Sequence, residues 1–144
     1  MGGVGSVESE ASRQSEDREP KFCEPGTNNH HRHGEHVRLK VWRHRVQRGA
    51  TNYFRVENLG TRTLGFGWEY HVERFAAGTW KQVPESSSTA WPDAEIGLSP
   101  GQHGWCGSYE VPKHAPLGLY RLTKAFRRDG GGERTLFARF RVVR

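Results

Sequence analysis

Along residues 64–83, LGFGWEYHVERFAAGTWKQV, apolar and polar positions alternate. Trp68, Tyr70 and Val72 share one side of an extended chain, and Glu69, His71 and Glu73 share the other. A period of two is that of a strand with one buried face. Ala76-Ala77-Gly78 interrupts the pattern, and 79–83 resumes it around Trp80, which predicts a hairpin. A hairpin implies an antiparallel sheet, and the apolar face of such a sheet has to be covered by a second layer.

The same alternation predicts the other elements. Val37, Leu39 and Val41 alternate with Arg38, Lys40 and Trp42 in a first strand, and 43–50 reads as a polar connection. A second strand over 51–58 points Phe54 and Val56 inward and Tyr53, Arg55 and Glu57 outward, before a turn at Asn58-Leu59-Gly60. Ser, Thr and Pro make 84–93 a surface loop. Its Trp91 either folds over the open end of the core, the preferred reading, or stands out as an anchor for a ligand. After a short strand at 94–98 and a Pro-Gly turn, 103–111 points Trp105, Tyr109 and Val111 inward and Cys106, Ser108 and Glu110 outward. The strand at 119–126 carries Tyr120, Leu122 and Phe126 on one face. A glycine-rich loop over 127–133 leads to a last strand at 135–143, with Leu136, Ala138, Phe140 and Val142 inward. About eight strands, no helix and frequent turns predict an all-β chain, an immunoglobulin-like antiparallel β-sandwich. A small closed barrel has the same alternation and is the alternative.

Composition divides the chain. Of five Trp, seven Phe and four Tyr, Phe22 alone precedes Trp42. Residues 1–36 cannot bury enough apolar surface to offset the entropy of ordering, and are expected to form a disordered polar tail. Residues 37–144 are the folding domain. Charge follows the same boundary: residues 1–36 carry four Lys/Arg and seven Asp/Glu, while 37–144 carry eighteen and nine. A basic domain with an acidic tail suits an anionic partner, or its own tail. No apolar run is long enough to span a bilayer or to form the core of a secretory signal. Gly2 and Ser6 match the short acylation pattern of a myristoylated N-terminus.

The residues carry a resemblance. Tyr53-Phe54-Arg55-Val56-Glu57-Asn58, then Tyr70-His71-Val72-Glu73-Arg74, then Gly78-Thr79-Trp80 stand in the order of a V-E-N strand end, a Y-x-(V/L)-E-(R/K) strand and a G-x-W hairpin. Leu98-Ser99-Pro100-Gly101-Gln102 and residues 116–122, PLGLYRL, fit the later turn and a Tyr-bearing strand. Over about 37–143 the chain resembles bacterial immunoglobulin-like domains. The resemblance implies a non-catalytic structural or binding module, often of an exported or surface protein, that contacts a protein or an acidic polymer. It brings no catalytic residues. The alternatives are a soluble basic module for nucleic acid or another anionic polymer, and a proteinase inhibitor, since the intracellular inhibitors of bacilli look similar in outline.

The search for chemistry returns little else. G-x-S-x-G, H-E-x-x-H, the P-loop and a strand-borne G-x-G-x-x-G are absent. No catalytic, cofactor or metal-binding residue is assigned. His30, His31, His33 and His36 could chelate a soft metal ion, but they lack the spacing of a zinc module, and a solvated linker is the preferred reading. Cys23 and Cys106 are either free thiols or a pair. An outward Cys106 and a tail-borne Cys23 can meet without strain in an oxidising compartment. If the first and last strands neighbour each other in one sheet, Arg38, Lys40, Trp42, Phe137, Arg139 and Arg141 form one outer patch. Such a patch is either a solubilising surface or a docking face for an acidic partner.

Overall fold

The computed structural model describes residues 19–27, 36–84, 91, 93–127 and 132–144. The N-terminal acylation pattern, His30, His31 and His33, and residues 85–90 and 128–131, within the expected loops, lie outside them. The described residues form β1 (Gly26–Thr27), β2 (Val37–Val41), β3 (Arg45–Gln47), β4 (Thr51–Asn58), β5 (Leu64–Phe66), β6 (His71–Ala76), β7 (Thr79–Gln82), β8 (Ile96–Leu98), β9 (Gln102–Glu110), β10 (Gly118–Arg127) and β11 (Glu133–Val143). The smaller sheet runs β1-β9-β4-β2. The larger runs β3-β11-β10-β5-β8, with β6 beside β10 and β7 beside β6. The two sheets enclose one apolar core, so the chain is a β-sandwich.

The inward positions of the alternation fill that core. Phe54, Val56, Tyr109, Tyr120, Leu122, Phe126, Leu136, Ala138, Phe140 and Val142 are all buried. Phe140 lies at the centre of the rings, 5.5 Å from Phe54, 5.7 Å from Tyr120 and 6.2 Å from Tyr109 between centroids. A ring of this size buries about 150–250 Å², so truncating one is expected to cost about 3–5 kcal/mol. The Tyr120 hydroxyl donates to Pro116 O at 2.7 Å. That bond from a strand-start tyrosine to backbone a few residues upstream is the tyrosine corner of immunoglobulin-like sandwiches.

The hairpin stands as its pattern predicts. Phe75 pairs with Trp80 and Ala76 with Thr79. Ala77 and Gly78 turn the chain with φ of 52° and 80°, the two positive angles of a type I′ turn.

Three expectations are corrected. First, 43–50 is not only a connection, because Arg45–Gln47 is a strand. Asn52, fully buried, accepts from Arg43 N at 3.1 Å and donates to Arg43 O at 2.9 Å. Its amide stands in for a strand partner while the chain crosses between sheets, and β3 then pairs parallel with β11. Second, β2 pairs with β4 in the smaller sheet, so the first and last long strands do not pair in one sheet. Third, the expected disorder does not extend to residues 19–27. A 3-10 turn at Lys21–Cys23 and β1 lie on the smaller sheet, with Gly26 paired to His103 and Thr27 to Gln102.

Residues 64–83 also break once more than the alternation suggests. Between β5 and β6 the chain leaves the ladder at 67–70. There the buried Lys124 ammonium donates to Gly67 O and, at 2.7 Å, to Glu69 O.

Candidate functional site

Because side chains alternate across a strand, the odd-numbered residues of β10 and β11 point away from the core. On β10 these include Arg121, Thr123 and Ala125, and on β11 Thr135, Phe137, Arg139 and Arg141. Arg139 lies opposite Arg121, and Arg141 lies opposite both Leu119 and Arg45 of β3. The outer face of the larger sheet thus carries two cross-strand arginine pairs. Like charges placed directly opposite on a sheet destabilise it. Among the described residues no carboxylate pairs with Arg45, Arg139 or Arg141.

Arg121 is held differently. Its Nε donates to Glu73 Oε1 at 2.7 Å, and its guanidinium carbon lies 4.2 Å from the centroids of both Trp80 and Phe137. Trp80 in turn packs on Phe75 at 5.2 Å, and Arg139 reaches 5.8 Å from the Trp80 ring. Phe75 and Phe137 are 44% and 50% exposed, so the face is both cationic and aromatic. Towards β5 and β8 its character changes. A cleft of about 680 Å³ lies there, lined by residues including Phe66, Tyr70, His71, Glu95, Arg127 and Thr135.

The six residues expected to share a patch are therefore divided. Phe137, Arg139 and Arg141 lie on the larger sheet. Arg38 and Lys40 are on β2 of the smaller one, and Trp42 directly follows it, edge-on to Tyr53 at 5.5 Å. Arg45, Arg121, Trp80 and Phe75 take the missing places. Their outward parity was readable for Arg121. For Arg45 it required knowing that β3 exists.

On the smaller sheet one carboxylate is shared by two outward arginines. Glu57, 1% exposed, accepts from Arg38 Nε at 2.7 Å and from Arg55 Nη2 at 2.7 Å. Burial alone would raise its carboxyl, but hydrogen bonds from Arg38 and Arg55 outweigh it and hold the group below the usual carboxylate range. The segment 19–27 covers this network. Cys23 is bonded to Cys106, with Cα atoms 5.3 Å apart and a sequence separation of 83. Arg55 stacks on Phe22 at 4.6 Å and donates to Phe22 O at 3.2 Å. Burial first, then Arg55, push the His103 imidazole below its ordinary value. Cys106 has no thiol to offer as a nucleophile, and it does not line the cleft.

The interior holds one ionisable group that the alternation marks and residue type hides. Lys124 is in phase with Tyr120, Leu122 and Phe126 and is 1% exposed. Its Nζ lies 4.3 Å from the Trp105 ring centroid and 5.2 Å from that of Phe66. Burial lowers its pKa to about 8, against the smaller opposing pull of Glu69. Trp105 is the extra residue of a bulge opposite Arg55 and Val56, with φ of 54°. Its ring lies over Gly107, where a Cβ would stand 2.6 Å from ring carbon Cη2. Trp91 packs on Tyr70 at 4.6 Å, and Tyr70 on Trp105 at 5.4 Å. Trp91 therefore folds over the end of the core.

The family description "Bacterial Ig-like domain" matches residues 33–141, which span both sheets and the tyrosine corner. The chain belongs to the bacterial Ig-like domain family. Among solved structures this Ig-like domain is similar to Spo0M, a sporulation control protein from Bacillus subtilis, with a TM-score of 0.45 and 10% identity over 76% of this chain and 49% of that one. It is also similar to the PmoD soluble domain from Methylocystis sp. ATCC 49242 (Rockwell), with a TM-score of 0.45 and 11% identity over 86% of this chain and 100% of that one. A beta-glucosidase from Listeria innocua matches over 75% of this chain and 16% of its own length, at 12% identity and a TM-score of 0.37. The Ig-like domain spans about half the length of the first of these. No curated protein sequence matches it. Among the described residues no helix is long and apolar enough to cross a membrane.

Proposed function

We propose that this Ig-like domain is a non-catalytic binding module of an exported or surface protein, and that it holds an anionic protein or polymer against the outer face of its larger sheet. The observation that carries this reading is the arginine array. Arg139 and Arg141 on β11 are each placed opposite another arginine, and among the described residues no carboxylate pairs with either. An anion seated between such pairs relieves their repulsion and meets planar, bidentate donors. On the smaller sheet Glu57 offsets one of the two charges of Arg38 and Arg55. Arg55, opposite Lys40, is only 15% exposed beneath segment 19–27, so fewer of that sheet's cations are open to a ligand. Phe75, Trp80 and Phe137 add contact area beside the charges. The Cys23–Cys106 bond suits an oxidising compartment.

The test is retention of the oxidised protein on immobilised anionic polymers as salt is raised. The parent is expected to elute later than Arg139→Ser/Arg141→Ser, while both unfold within about 1 kcal/mol of each other, as surface variants do. Equal elution of the two at low salt would reduce the array to a solvated surface.

A further inference from the structure

The arginines are not scattered over the face; their spacing is specific. Along one strand, residues two apart lie on the same face about 7 Å apart, and neighbouring strands are about 5 Å apart. Arg139 with Arg121 forms one cross-strand pair, and Arg141 with Arg45 forms the next, one same-face step along β11. At that backbone spacing one carboxylate is within reach of both side chains of a pair. The pairs lie on opposite sides of β11, so one step along the strand and one strand spacing across it define two anion positions about 8 Å apart on a diagonal. An extended peptide crossing β11 on that diagonal presents its side chains at i and i+2 on one face about 7 Å apart, within side-chain reach of both positions.

We infer that the occupant of this face is an extended acidic segment of a protein partner, with carboxylates at i and i+2 seated on the Arg121–Arg139 and Arg45–Arg141 pairs. This rests on the reading of the face as the docking surface for an anion. Chemistry at Arg121 favours a peptide over a stacked nucleic acid. Its guanidinium lies between Trp80 and Phe137 and covers one side of each ring, while Glu73 holds Nε. With Nε on Glu73, the donors left for a planar carboxylate are the two terminal nitrogens of a side chain that is 18% exposed. Base stacking needs open ring faces, and here one side of each of these two rings is taken.

The test uses the oxidised full chain and peptides of identical composition in which two glutamates stand at i and i+2, at i and i+1, or at i and i+3. Polygalacturonate and single-stranded oligothymidine serve as further arms. Binding is read by calorimetry at low salt. The i, i+2 peptide is expected to bind about tenfold more tightly than its isomers, the effect of two modest ion pairs being made or missed. Arg45→Ser and Arg139→Ser should each remove most of that preference. Equal affinity for the three peptides, or binding confined to the oligothymidine or the polygalacturonate, would overturn the peptide inference and leave an anion-binding face. If none of these probes binds, both readings fall.

Discussion

Lys124 offers the sharpest test of how this sandwich is held together. In Lys124→Met the side chain keeps its length and loses its charge. Two carbonyls, Gly67 O and Glu69 O, lose their donor. An acceptor left unmade costs about 1–3 kcal/mol when buried. Gly67 and Glu69 lie in an exposed segment and their bonds to Lys124 are part-buried, so the low end applies, and relief from burying a charge returns part of it. The variant is expected to be about 1–2 kcal/mol less stable at pH 7. The pH dependence separates this account from simple loss of packing. A lysine with pKa near 8 when folded and 10.5 when unfolded is protonated in both states at pH 7. Between pH 8 and 10.5 the unfolded chain binds more protons, so stability rises with pH in that window. At about 1.4 kcal/mol per pH unit the gain is roughly 1 kcal/mol by pH 9, with a ceiling of roughly 3. The two N–H groups of a neutral amine still serve both carbonyls, so deprotonation breaks neither bond. Urea unfolding of the oxidised parent and variant, followed by tryptophan fluorescence at pH 7 and pH 9, measures the gap. It should widen by roughly 1 kcal/mol at the higher pH. A gap that stays constant or narrows refutes the reasoning.

Other outcomes follow from the same contacts. Cys23→Ser should lower stability by up to about 4–5 kcal/mol in the loop-entropy limit for a long closed loop, and should raise amide exchange at Thr27 as β1 leaves β9. Glu57→Gln strips the buried anion from between Arg38 and Arg55, which are themselves partly exposed, and should cost about 1–3 kcal/mol in denaturant. Since the Glu57 carboxyl is held below its ordinary value, its contribution in the parent is present above that value and is lost as pH falls through the lowered one; acid titrations of parent and Glu57→Gln should therefore converge. Ala77→Asn, at φ of 52°, should stabilise the hairpin by about 0.5–1 kcal/mol in thermal unfolding, because asparagine tolerates the left-handed region better than alanine.

The sandwich and most of its strand faces were legible because period-two alternation is a direct consequence of one-sided burial, as Leu136, Ala138, Phe140 and Val142 illustrate. What was not legible depends on single side chains replacing backbone partners. Asn52 lets the chain cross from β2 to β3, and nothing in the polar run 43–50 announces it. That crossing moved Arg38, Lys40 and Trp42 off the expected patch and brought Arg45 onto it. Segment 19–27 is poor in apolar residues, yet a covalent bond at Cys106 and an arginine on Phe22 hold it, and composition weighs neither. Lys124 was in phase with three core residues but carries a charge, so alternation and residue type pointed opposite ways, and alternation prevailed.

The central claim is that the outer face of the larger sheet, and not that of the smaller one, is the contact surface. The most direct measurement is a chemical-shift titration of isotope-labelled oxidised protein with poly-glutamate at low salt. The account predicts shifts at the Trp80 indole and at the amides of Arg45, Arg121, Phe137, Arg139 and Arg141, reversed by added salt. Shifts centred on Arg38, Lys40 and Trp42, or none on the larger sheet, would contradict it.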